Sequence, residues 1–335
     1  MTTELSAPDA PTDSGVAVAD NWVPVAVESL RYAADYCFDL YIRDDAVNSS
    51  FRLFRGNDVS MTEKDIDQLL SRGVRTLFAS ASQARAYRDF LRERVLGDNA
   101  LPLTRRYEVL TQAARVVFEE AFQERDVDAL CDVTGELAGQ LTELVNYDDI
   151  QLFDLVEVML HDYSTYAHAT RVCSYSVMLA QGLGIKEREE LASIAKGALL
   201  HDVGKLFISD SVVAKNYCVT SEERKLLKQH PTQGFRRLAA RKDIGWGALM
   251  MVYQHHERVD GCGFPVGLEK EEIHPWARIC AVANTHDTLM RDVATDDPHA
   301  LKKVFENLEL MSGRSLDEEM TQCWLKIFTK TPRQN

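Results

Sequence analysis

The sequence has no CxxC pair, no run of about 18 apolar residues and no surplus of positive charge. Each absence excludes something. Its seven cysteines stand far apart, at Cys37, Cys131, Cys173, Cys218, Cys262, Cys280 and Cys323. The number is odd and a chain of this length needs no staples, so they read as reduced cytoplasmic thiols. The opening MTTELSAPDAPTDSG has no basic n-region and no apolar h-region, and so does not read as a secretory signal. With no membrane span either, the expectation is a cytoplasmic protein. The formal net charge is −14 and the pI near 5.1. An acidic surface repels DNA and RNA polymers, which argues against such partners. A small anionic substrate stays open if metals supply local positive charge.

What is present suffices for a sizeable core: 45% hydrophobic and 27% charged residues over 335 positions, a length that suggests about two domains. Residues 1–20 are rich in Pro, Ser, Thr and Asp and read as a disordered tail. CFDLYIR (37–43), FRLFRG (51–56) and RTLFAS (75–80) read as strands. Residues 61–73, with Thr62 as N-cap and Gly73 at the end, and residues 82–95 read as helices. Residues 21–100 therefore predict a small α/β module without a catalytic signature, regulatory or docking in role. Residues 104–124 and 126–145 carry long helical patterns, so 101–146 reads as a helical linker. From 147 to 335 the pattern is helical throughout. The expected fold class is α+β, a small N-terminal α/β unit followed by an all-helical domain.

Several ionisable residues fall where apolar stripes lead. Leu191, Ile194, Ala195, Ala198 and Leu199 recur at helical spacing, and the stripe runs on to His201 and Asp202. A buried carboxylate is costly unless paired or metal-bound. A Thr220/Glu223 capping box opens a helix that runs toward His230, where Pro231 is expected to end it. Leu249, Val252 and Tyr253 lead to His255 and His256, and His168 opens a helix whose inner face holds Val172, Tyr175 and Leu179. Any one of these is ordinarily a hydrogen-bonded core histidine. Of nine histidines, five follow the pattern beside one aspartate, a donor set that suits divalent transition metals.

The runs HDYSTYAHATRV, LLHDVGK, KQHPTQG, QHHERVDGCGFPVGL and ARICAVANTHDTL, in that order, resemble the HD-GYP subfamily of HD-domain phosphohydrolases over about 150 residues. The resemblance implies an all-helical domain that hydrolyses a cyclic dinucleotide, cyclic di-GMP above all, with two divalent transition-metal ions, iron or manganese. It places His168, His201 and Asp202 on one ion, and Asp202, His230, His255 and His256 on the other. It gives Asp202 and Lys205 catalytic roles, with Lys205 also meeting a substrate phosphate. Asp260, Gly261, Gly263, Phe264 and Pro265 form the substrate loop. Water between two such ions is acidified into a nucleophile. Other readings remain: a metal-holding sensor that cleaves poorly, or a hydrolase for another nucleotide. Residues 21–146 are the expected meeting place for a second copy or a signalling protein.

Four positions depart from that pattern. Phe264 keeps the ring of the motif tyrosine and loses its hydroxyl. Asn284 stands where a metal-binding aspartate is usual, while Asp287 matches the second aspartate there, on the substrate side. RDVATDD replaces a basic segment, leaving Arg291. Ser164 stands where three-metal members carry glutamate, which favours two ions.

Overall fold

The computed structural model describes residues 22–32, 36–44, 50–97, 101–145, 165–213, 215, 219–292 and 300–329. The expected tail, the boundary at 147, Ser164 and most of RDVATDD lie outside them.

The N-terminal unit is a four-stranded antiparallel sheet in the order β1-β4-β2-β3, where β1 is Trp22–Ala26, β2 Leu40–Asp44, β3 Ser50–Arg55 and β4 Thr76–Ser80. Three strands were expected; β1 is a fourth. Its Pro24 reads against a strand, because proline cannot donate to a ladder. It is tolerated because β1 is an edge strand, pairing with β4 alone. Helix α1 (Glu63–Ser71) starts as predicted at Thr62. The Thr62 hydroxyl accepts from the Asp65 N–H at 3.3 Å, and the Asp65 carboxylate accepts from the Thr62 N–H at 2.9 Å. Helix α2 (Ala84–Phe90) continues into a wider turn, Leu91–Leu96. Val25, Phe38, Leu40, Ile66, Leu77, Tyr87 and Phe90 bury one face of the sheet under these helices.

Helix α3 (Leu103–Glu124) belongs to both halves. Val109, Ala113 and Val116 join the sheet's core, whereas Tyr107, Leu110, Ala114, Phe118 and Ala121 join the helical core beyond. The Tyr107 hydroxyl lies 3.0 Å from that of Ser174 in the helical half. Helix α4 (Val127–Leu144) places its buried apolar side chains in the second core. The remaining described helices are α5 (Thr165–Gly182), α6 (Arg188–Leu200), α7 (Asp210–Val213), α8 (Ser221–Leu227), α9 (His230–Leu238), α10 (Trp246–Gln254), α11 (Pro275–Asp292), α12 (Ala300–Met311) and α13 (Glu318–Thr329). Helices α5, α6, α10 and α11 pack against one another. Proline at position 231 begins α9 instead of ending α8: its fixed φ suits the first helical turn, where no N–H is needed. No helix among the described residues is long and apolar enough to cross a membrane.

Candidate metal centre

The α6 stripe is buried as its periodicity predicts, and the helix stops at Leu200. His201 and Asp202 then turn the chain into a 3-10 segment, Val203–Phe207. Gly204 lets that segment lie directly on α9, since a Cβ there would collide with the His230 carbonyl oxygen. Two elements that carry candidate ligands are thus pressed backbone to backbone.

The ends of helices orient the imidazoles. His201 Nδ1 lies 2.7 Å from the Ala198 carbonyl oxygen, and His230 Nδ1 lies 2.6 Å from that of Leu227. His255 Nδ1 lies 3.1 Å from the carbonyl oxygens of both Met251 and Val252. These carbonyls sit in the last turns of their helices, where carbonyl groups have acceptor capacity to spare. A carbonyl only accepts, so each Nδ1 is the protonated nitrogen and each neutral ring keeps a lone pair on Nε2.

Those lone pairs converge. His230 Nε2 and His255 Nε2 are 3.2 Å apart, and with both Nδ1 atoms protonated no hydrogen is left to lie between the two rings. Asp202 Oδ1 is 3.2 Å from His230 Nε2 and 3.8 Å from His255 Nε2. Asp202 Oδ2 is 3.3 Å from His201 Nε2 and 3.7 Å from His168 Nε2. His201 Nε2 and Asp202 Oδ1 are buried without a hydrogen-bond partner. Facing lone pairs beside an unsatisfied carboxylate oxygen are repulsive unless a cation joins them, so the donor set fits a divalent metal. Asp202, His230, His255 and His256 form one possible ligand group, and His168, His201 and Asp202 another, each with its ligand atoms within 4.8 Å of one another.

Lys205 Nζ lies 2.5 Å from Asp202 Oδ2. Burial opposes charge on Asp202, but the Lys205 ammonium overcomes it and helps to hold the carboxyl well below its usual range. Burial pushes His168 and His230 down and His255 and His256 well down, keeping them neutral as ligation requires.

Asn284 lies on α11, half-buried, between Cys280 and Asp287 at spacings of four and three, so the three share one helix face. Asp287, on that face, lies 2.6 Å from His168 Nδ1, so the face is turned toward the helix that carries His168. Asp287, expected on the substrate side, lies behind His168 instead. It is 2% exposed, its Oδ2 is 2.6 Å from His168 Nδ1, and Arg171 grips both its oxygens.

The loop after α10 closes the site. Phe264 stacks on His256 with ring centroids 4.6 Å apart and planes 20° apart. Gly263 has no room for a Cβ against the Arg258 N–H and Glu257, and Gly261 has φ +70°. Asp260 pairs with Arg258 and accepts from the Cys262 N–H at 3.1 Å. Pro265 follows Phe264 and is half-buried.

The sequence model of the HD domain family matches residues 134–320. The chain belongs to the HD domain family. Its HD-GYP resemblance holds as well. A cyclic di-GMP phosphodiesterase of Thermotoga maritima is 35% identical over 188 residues, covering 54% of this chain and 50% of that protein. A 3'3'-cGAMP-specific phosphodiesterase of Vibrio cholerae is 27% identical over 250 residues, 65% of this chain and 48% of that protein. The chain thus spans about half the length of these relatives. An HDG"Y"P protein from Bdellovibrio bacteriovorus shares the fold, with a TM-score of 0.65 at 21% identity, over 92% of this chain and 100% of that one.

Two HD-domain residues escaped the sequence reading. Arg171 lies three residues after His168 on the same helix face, and a cation on a buried stripe was the available signal. Glu257, next to the histidine pair, is 3% exposed. Its carboxylate accepts from the N–H groups of Val266, Gly267 and Leu268 at 2.7, 3.0 and 3.1 Å. That tether fixes the loop that carries Phe264.

Proposed function

We propose that this HD-domain chain is a metal-dependent phosphodiesterase that opens a cyclic dinucleotide, cyclic di-GMP first among them. The observation that carries the reading is the single carboxylate, Asp202, turned with one oxygen toward each of two histidine groups. The names of the relatives from Thermotoga maritima and Vibrio cholerae support the substrate class.

In this reading His168, His201, Asp202 and Asn284 hold one iron or manganese ion, and Asp202, His230, His255 and His256 hold a second. Two such ions supply Lewis acidity that activates water near neutral pH and offsets charge on phosphoryl oxygens. The helix-end carbonyls fix each ring so that Nε2 faces inward. Lys205 keeps Asp202 ionised and would add positive charge beside the substrate phosphate. Asp260, Gly261, Gly263, Phe264 and Pro265 wall the substrate side, with Asp260 shaping its own turn. Asp287 acts through His168. The domain limits at 21–100, 101–146 and 147–335 belong to the same reading. It places the protein in the cytoplasm and gives residues 21–146 a signal, a second copy or a signalling protein to meet.

A second reading, a metal-holding sensor that cleaves poorly, is favoured by the uncharged Asn284. One experiment separates the two. Anaerobically purified protein is loaded with manganese or iron and given cyclic di-GMP and 3'3'-cGAMP. Linear product with wild type, and its loss in Asp202→Ala, supports the hydrolase. Binding without cleavage supports the sensor.

A further inference from the structure

Lys228 stands at the end of α8, exposed, with its Nζ 5.0 Å from the centre of the Phe264 ring. Among the described residues it pairs with no carboxylate, although the chain as a whole has 52 acidic residues against 38 basic ones. Phe264 in turn stacks on His256, so Lys228, Phe264 and His256 form a row leading from solvent to the second ligand group. The row is anchored. The Leu227 carbonyl, next to Lys228, is the group that receives His230 Nδ1–H, so the backbone that carries the ammonium is fixed to a candidate ligand.

We infer that Lys228 is a phosphate-binding residue of the substrate site, taking the phosphodiester of a cyclic dinucleotide that is not being cleaved. The inference rests on the function proposed above. Such a ring carries two phosphates, and one metal centre engages one of them. Lys205 is committed to Asp202 and serves that phosphate. The other needs a cation at the rim, where the exposed Lys228 lies over Phe264. An ammonium resting on an aromatic face at an exposed site is held by only about 0.5–1 kcal/mol. It is therefore free to turn to an anion, which binds it as a point charge. Phe264, lacking a hydroxyl, supplies the face on which Lys228 waits.

The test compares two substrates on manganese-loaded protein: cyclic di-GMP, with two phosphates, and bis(4-nitrophenyl) phosphate, with one. Lys228→Met should raise KM for cyclic di-GMP about tenfold, the loss of roughly 1.4 kcal/mol. It should leave kcat, bound manganese and the kinetics of the one-phosphate diester within twofold, and weaken equilibrium binding of cyclic di-GMP by the same tenfold. Lys228→Arg should restore most of the loss. An unchanged KM for cyclic di-GMP, or an equal loss on both substrates, overturns the role of Lys228 while leaving the hydrolase intact. A wild type that cleaves the nitrophenyl diester yet neither binds nor cleaves the dinucleotide overturns the proposed function, and this inference with it.

Discussion

Arg171 and Asp287 meet as a two-pronged buried ion pair, Nε to Oδ1 at 2.5 Å and Nη2 to Oδ2 at 3.0 Å, and the same Oδ2 lies 2.6 Å from His168 Nδ1. Arginine therefore sets the carboxylate, and the carboxylate sets the ring.

Arg171→Met leaves Asp287 buried without its main partner, which costs about 3–5 kcal/mol of stability. Asp287→Asn, with nearly the same shape, keeps the fold better and weakens the hold on His168. Removing such an outer partner lowers metal affinity roughly 10–100-fold. Manganese titration of Asp287→Asn should show one weakened site and one unchanged. Two unchanged sites would mean that His168 is not a ligand.

Asn284→Asp should strengthen the site that contains His168 and His201. An amide oxygen can ligate, but a carboxylate holds divalent ions more firmly. About tenfold tighter binding is expected, equivalent to roughly 1.4 kcal/mol, together with faster hydrolysis. Equal affinity and rate in both forms would place residue 284 outside the centre.

Glu257→Ala releases three half-buried loop N–H groups together, at about 1–3 kcal/mol. Loss of stability in urea, faster proteolytic cutting within 258–268 and a raised KM are expected. Wild-type values for all three would show that the tether does not hold the loop.

Metal-free protein should lose stability as pH falls from 7 toward 5. Burial lowers His286 to about 4 and pushes His168, His230, His255 and His256 down or well down from 6.5. Between the folded and unfolded values the unfolded chain binds more protons, so stability rises with pH. His286 alone contributes roughly 3 kcal/mol, fully present above 6.5 and lost as pH drops toward 4. Urea midpoints measured in chelator at pH 7, 6 and 5 check this, and a flat series would contradict it.

The parts legible in the sequence were those fixed by local rules. Thr62 as an N-cap and Thr220 with Glu223 as a capping box announce helix starts because their partners lie three residues away. The approach of His201, His230, His255 and His256 to helix ends could be read from apolar stripes. What stayed hidden depends on distant partners. Arg171 finds Asp287 across 116 residues, and Glu257 finds backbone N–H groups that carry no side-chain signature. Strand β1 was hidden by Pro24, since only its place at the sheet's edge makes proline harmless. The double allegiance of α3 was hidden as well, because an amphipathic pattern shows that faces are buried but not against what.

That double allegiance makes α3 a party wall. Val109, Ala113 and Val116 are fastened to the sheet, and Tyr107, on the other side, is fastened to Ser174 of α5, one turn beyond Arg171. A wall shared by two rooms cannot lean into one without pulling on the other. A push on the sheet is therefore a push on α5, which carries His168 and Arg171, and so on one half of the metal centre.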